Sequence, residues 1–226
     1  MPAYRSSAEA EIRDAVVARI RERRPQARII HEINVSTYGP NRIDLVAVDR
    51  AEIIAVEVKS AKDKLDRLPA QMDAMRGAAH HAIAAIHEKF LVEQLTNQSA
   101  AHYERDGKFY LRAEPGGIRG EIWVFPEMRR AMPGANHDSL ERWRFPSPQL
   151  EISLPSSALD LLWRSELFEL CGRLRVAAGR RSTMPDMVAA LRWYCTGAEL
   201  TRGICAMLRG RRCVEADPEI IERVAA

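Results

Sequence analysis

The chain lacks any long hydrophobic run. Its apolar stretches, such as IIAV and LVAV, fall far short of the roughly 18 to 20 residues that cross a bilayer. The N-terminal MPAYRSSAEAEIRD carries no signal-peptide core either, so no membrane partner and a cytoplasmic location are expected. Cysteine is scarce. The four present (Cys171, Cys195, Cys205, Cys213) lie in the last quarter, without a CxxC pair or zinc spacing, which argues against a disulfide scaffold and a structural zinc. Nor is there a strong charge imbalance. Lys and Arg number 34 against 31 Asp and Glu, a formal net charge of +3, which does not by itself announce nucleic-acid binding. Internal repeats and low-complexity tracts are also missing.

Core-forming residues are plentiful. With 226 residues, 46% hydrophobic and 29% charged, the composition is that of a folded globular protein of one domain or two small ones. Charge is more informative in its distribution. From Gly172 to Cys213 the cations are Arg173, Arg175, Arg180, Arg181, Arg192, Arg202, Arg209, Arg211 and Arg212, opposed only by Asp186 and Glu199. Arginine holds phosphate oxygens in a fixed fork, so Arg180, Arg181, Arg209, Arg211 and Arg212 are candidate DNA contacts, joined by Arg42 and Lys62 nearer the N-terminus.

SAEAEIRDAVVARIRERR, ending at Pro25, predicts a helix. At 100° per residue Ala8, Ile12, Val16 and Ile20 share one side; Glu9 falls within that apolar stripe, while Glu11 points nearly opposite. ARIIHEINV, RIDLVAVD and AEIIAVEVKS predict an antiparallel three-strand meander, with the turn-rich STYGPNR after the first strand and a tight connection at residues 49–51. DKLDRLPAQMDAMRGA predicts a helix ending near Gly77, and HHAIAAIHEKF a fourth strand entered at His80 and His81. LVEQLTNQSAAHY can be read as helical, ERDGKFYLRAEPGG as short extended pieces, and GEIWVFPE as a further strand. Residues 129–150 have the Pro, Gly, Asn and Ser content of a connection, placing a domain boundary near residue 150. Beyond it SSALDLLWRSELFELCGRL, TMPDMVAALRWYC and GAELTRGICAMLRGR predict three helices, a compact unit of possible helix-turn-helix type. Trp123, Trp143, Trp163 and Trp193 are read as packing residues.

Three charges interrupt the apolar strands RIDLVAVDRAEIIAVEVKS. Alternation sets Ile53, Ala55, Glu57 and Lys59 on one face of their strand, and the meander brings Asp44 to the same end. Carboxylates and an ammonium at the end of an apolar strand are costly to bury unless paired, hydrated or bound to a metal. Hard oxygens suit Mg²⁺ or Mn²⁺, for which Asp44, Glu57 and the Val58 carbonyl are the candidate ligands. Lys59 is suited to orienting or deprotonating an attacking water and to offsetting charge on a phosphoryl transition state.

In this order, Glu9 on a helix, Asp44 on the second strand, Glu57-Val58-Lys59 on the third and Gln71 on the following helix, residues 7 to 126 resemble the PD-(D/E)XK nuclease superfamily. The resemblance implies an α/β fold with a restriction-endonuclease-like mixed central sheet flanked by helices, here followed by a small all-α C-terminal domain (1–150 and 151–226). It implies a Mg²⁺- or Mn²⁺-dependent deoxyribonuclease acting through Asp44, Glu57 and Lys59, with Glu9 and Gln71 assisting. The residue before Asp44 is Ile43, not the proline common in that superfamily. The helical tail resembles the C-terminal extension of small bacterial nucleases found in phage-like regions. Cutting both strands takes two active sites, which a homodimer would supply. Two other readings fit the same residues: a catalytically silent DNA-binding or regulatory subunit with this fold, and a nuclease specific for junctions or transposon ends.

Overall fold

A computed structural model gives the structure, which describes residues 6–34, 42–126, 131–132, 136–137, 143–213 and 215–221. Helix α1 (Ser7–Arg23) begins where the Ser6 hydroxyl accepts the Glu9 amide N–H and ends at Arg24, ahead of a proline that has no N–H to extend it. Ile12, Val16 and Ile20 are fully buried. They pack on one face of the sheet with Ile29, Leu45, Ala47, Ile54, Val56 and Val58. At about 1.5–3 kcal/mol per buried aliphatic side chain, this stripe is what orients α1.

Strands β1 (Arg28–Asn34), β2 (Arg42–Val48) and β3 (Ile53–Lys59) form the expected antiparallel meander. The tight connection is closed by the Asp49 N–H donating to Glu52 O, while most of STYGPNR lies outside the described residues. Helix α2 (Leu68–Arg76) starts later than DKLDRL suggested. Asp63 instead accepts from the Ser60 N–H and hydroxyl, which makes a turn, and Pro69 suits the first turn of the helix. Strand β4 (His81–His87) then pairs parallel with β3.

The helical reading of LVEQLTNQSAAHY is overturned. Strands β5 (Val92–Thr96), β6 (Tyr103–Arg105) and β7 (Lys108–Ala113) build a separate three-stranded sheet in the order β5-β7-β6. Asp106 and Gly107, at φ 53° and 71°, make the two-residue turn whose twist matches a hairpin. Strand β8 (Glu121–Phe125) returns to the main sheet parallel to β4, completing the order β1-β2-β3-β4-β8. In the predicted connection, Ala131–Met132 pairs with Asn136–His137. Further on, Trp143 stacks on Trp123 with ring centroids 4.9 Å apart.

The opposite face of the sheet buries Val46, Val48, Ile53 and Ala55 against Leu68, Met72 and Met75 of α2 and against the helical tail. That tail comprises a 3-10 turn (Ser156–Leu161) and helices α3 (Arg164–Arg173), α4 (Met184–Tyr194) and α5 (Gly197–Gly210). The change from sheet to helices falls near residue 150, but Leu159, Leu167, Ile204 and Leu208 share one apolar cluster with the sheet. Buried Arg28 ties the two together, donating to the Leu208 and Arg209 carbonyls at 2.8 and 2.9 Å, a cation at a helix C-terminus. Leu200, Thr201, Ile204, Cys205, Met207, Leu208 and Arg209 are buried along α5. Two tryptophans read as packing residues are instead exposed, Trp163 at 54% and Trp193 at 81%.

The fold is mixed α/β, a mixed sheet flanked by helices. Among the described residues no helix is long and apolar enough to cross a membrane.

Candidate functional site

The charged residues gather where β3 ends and α2 begins. The β2–β3 register closes at Leu45 opposite Val56, so one step further along the strands lie Asp44 and Glu57. Asp44 Oδ2 accepts the Val58 N–H at 2.9 Å, which ties the first acidic side chain to the backbone of the Glu57-Val58-Lys59 segment. Glu57 and Lys59 share a face, as alternation requires. They are 2% and 8% exposed. Lys59 Nζ donates to Glu57 Oε1 at 2.7 Å, and Gln71 Nε2, reaching down from α2, donates to the same oxygen at 2.5 Å.

The other Glu57 oxygen, Oε2, is buried without a hydrogen-bond partner. Burial, and then the charge of Asp44, push the Glu57 carboxyl up to about 7, against the opposing pull of Lys59 and Gln71. A buried carboxylate with an idle oxygen beside a second carboxylate is a group that a proton or a hard cation would satisfy. Asp44, Glu57 and the Val58 carbonyl are therefore the oxygens that could hold Mg²⁺ or Mn²⁺. Among the described residues no three or more His, Cys, Asp or Glu form a ready-made metal cage. The donors here are two carboxylates and a main-chain oxygen.

Glu9 is buried and Glu11 exposed, but Glu9 reaches the site through a residue that helical phase did not single out. Arg13, one turn further along α1 and only 1% exposed, donates through Nε to Glu9 Oε1 at 2.9 Å and through Nη1 to the Asp44 carbonyl at 2.8 Å. Its Nη2 lies 3.2 Å from Asp44 Oδ1 and 3.7 Å from Glu32 Oε1. The sequence signal was available: Arg13 is four residues from Glu9 in the same apolar stripe.

Glu32 was also unforeseen. It sits in β1 opposite Asp44, at the one position where the β1–β2 pairing lapses, with φ 61°. That left-handed conformation is unfavourable for a side-chain-bearing residue, and the Glu32 carboxylate ends at Arg13 and, at 2.6 Å, at Arg42. His31 lies within 3.4 Å of Arg13 Nη1 through Nδ1. Burial and the neighbouring guanidinium hold its pKa below the usual histidine value, so a neutral ring accepts from Arg13.

The candidate DNA contacts are scattered. Lys62 is exposed just beyond Lys59, Arg42 is partly exposed at the start of β2, and Arg180 and Arg181 are exposed between α3 and α4. Arg212 is also exposed, 3.6 Å from Glu219. Arg209 and Arg211 do not fit that role: they are 4% and 5% exposed. Arg211 is held by Glu166 at 2.5 Å and by the Leu161 carbonyl at 2.7 Å, and its guanidinium lies over the Trp163 ring. Arg211 thereby ties the end of α5 to the rest of the tail, and both arginines have little surface left for phosphate.

Over residues 3–100, less than half of its length, the chain is similar to the family described as bacteriophage P4 protein cII. That span runs from α1 into the β5-β7-β6 sheet and includes Glu9, Asp44, Glu57, Lys59 and Gln71. No curated protein and no solved structure matches the chain.

Proposed function

We propose that the protein is a divalent-metal-dependent DNA endonuclease of the PD-(D/E)XK kind, restriction-endonuclease-like in fold and phage-related. The observation that carries this reading is Glu57, a buried carboxylate with one unpartnered oxygen, set between Asp44, Lys59 and Gln71. The element order supports it: α1 with Glu9, β1, β2 with Asp44, β3 with Glu57 and Lys59, α2 with Gln71, then β4 is the order the resemblance implies. Asp44, Glu57 and the Val58 carbonyl would hold a Mg²⁺ or Mn²⁺ ion, which would supply positive charge to the scissile phosphate. Lys59, hydrogen-bonded to Glu57, would orient the attacking water and offset negative charge as the phosphoryl group is attacked. Gln71 holds the Glu57 carboxylate in one rotamer. Glu9 acts through Arg13, which it anchors against Asp44.

A second reading has its own observation. Arg13 neutralises Asp44 and Glu9 from within, as would suit a catalytically silent DNA-binding subunit. A panel of linear, nicked, flapped and four-way DNA, incubated with protein and Mg²⁺ or Mn²⁺, separates the two. The nuclease reading expects metal-dependent cleavage of at least one member, abolished by EDTA. Preference for the flapped or four-way form would make the enzyme structure-specific, and DNA retained intact in Mn²⁺ would favour the silent subunit.

A further inference from the structure

Three carboxylates from three different elements, Glu9 of α1, Glu32 of β1 and Asp44 of β2, converge on the single guanidinium of Arg13 at 2.8, 3.7 and 3.2 Å. We infer that Arg13 is a built-in cation standing where a second divalent ion would otherwise sit, so that the site accepts one ion and not two. The inference rests on the metal-dependent reading of Asp44 and Glu57.

The division of contacts carries it. Arg13 is engaged by Glu9, Glu32, Asp44 and His31, whereas Glu57 is engaged by Lys59 and Gln71 and keeps one oxygen idle. Two carboxylate groupings therefore meet at Asp44. One is closed around Arg13; in the other Lys59 pairs with Glu57 Oε1 only, and Glu57 Oε2 stays open to an ion. In two-metal hydrolytic sites the ions lie about 3.5–4 Å apart and share a carboxylate between them, which is the place Asp44 has here between Arg13 and Glu57. A guanidinium stays charged at any physiological pH, and at 1% exposure its charge is little screened by water. His31 reinforces the arrangement, since a neutral ring presents Arg13 with an acceptor and adds no charge of its own. Arg13 would thus be a positioning residue, setting the charge on Asp44 without touching the phosphate.

The test counts Mn²⁺ ions bound per chain by electron paramagnetic resonance, with folding followed by circular dichroism, for wild type, Arg13→Gln and Arg13→Lys. The expected counts are one for wild type, two for Arg13→Gln and one for Arg13→Lys, which keeps a single charge. Arg13→Gln that unfolds in EDTA and refolds on binding two Mn²⁺ also supports the inference. It is overturned if Arg13→Gln binds one ion, if Arg13→Lys binds two, or if Arg13→Gln stays unfolded in Mn²⁺. Two ions in wild type would overturn this inference alone, leaving the nuclease reading intact. No ion in wild type would remove the metal-dependent reading itself.

Discussion

Lys59→Ala is expected to lower Mg²⁺-dependent DNA cleavage by about 10³-fold while Mn²⁺ still binds, whereas Asp44→Ala is expected to lose both. The split follows from geometry. Asp44 offers the oxygens that would hold the ion, and it also bonds the Val58 N–H and faces Arg13. Its removal would strip a proposed ligand, loosen β2 from β3 and leave Arg13 with one carboxylate fewer. Lys59 instead bonds Glu57 Oε1 and is 8% exposed, so on the proposed mechanism its loss would remove the cation beside the reacting phosphate and leave the proposed ligand oxygens in place. Glu57 would keep its Gln71 bond. Cleavage kinetics on a plasmid substrate and Mn²⁺ titration of the same preparations measure the two effects separately. Equal loss of binding in both variants would mean that Lys59 acts only by holding Glu57.

Glu57→Gln is expected to stabilise the metal-free protein at alkaline pH, in spite of removing a ligand. The carboxyl rises from an ordinary 4.5 to about 7 in the folded chain, chiefly by burial and then by the charge of Asp44. A group raised in this way favours the folded state fully below the unfolded value of about 4.3, and that contribution is lost as pH climbs through about 7. The full difference is about 3 kcal/mol. In EDTA, then, wild type should be less stable at pH 8 than at pH 5 as far as this group is concerned. Glutamine, which never ionises, should remove that part of the slope and exceed wild type at pH 8 by about 2–3 kcal/mol, with little difference at pH 5. Urea unfolding at the two pH values measures it. Parallel pH profiles for wild type and Glu57→Gln would show that Glu57 ionises without cost in the folded protein. A gain in stability from deleting a charged group marks a residue whose arrangement is not explained by folding alone.

The parts of the site legible in the sequence are those set by a single period. A repeat of two put Glu57 and Lys59 on one face, and they are hydrogen-bonded. A repeat of 3.6 separated Glu9 from Glu11, and Glu9 is the buried one. Arg13 obeys the same helical period, yet a chain rich in arginine gives no sign of which guanidinium meets three carboxylates, because Glu32 and Asp44 reach it through the packing of α1 against the strands. Glu32 was hidden for another reason: a left-handed φ within a strand contradicts the regular alternation on which strand reading depends. Of the β5-β7-β6 sheet, the extended pieces read in ERDGKFYLRAEPGG fall on β6 and β7, but β5 was missed because LVEQLTNQSAAHY satisfies helical propensity as well as strand pairing, and pairing with β7 decides it. Only the Asp106–Gly107 turn pointed locally to a hairpin. Counting charge along the tail likewise could not distinguish exposed Arg180 and Arg181 from buried Arg209 and Arg211. Arginine stems pack against apolar surface, and Glu166 and the Leu161 carbonyl complete the environment of Arg211.

Calorimetric titration of Mn²⁺ into the wild-type chain and into Asp44→Asn, in the absence of DNA, tests the central claim most directly. Asparagine matches the shape of Asp44 and keeps an oxygen for the Val58 N–H, so a change in binding reads the lost charge and not a lost fold. The account predicts saturable binding of one ion by wild type and at least a hundredfold weaker binding by Asp44→Asn, the scale of loss expected when a carboxylate ligand of a hard cation becomes neutral. Equal affinity in the two proteins, or no binding by wild type, would contradict it.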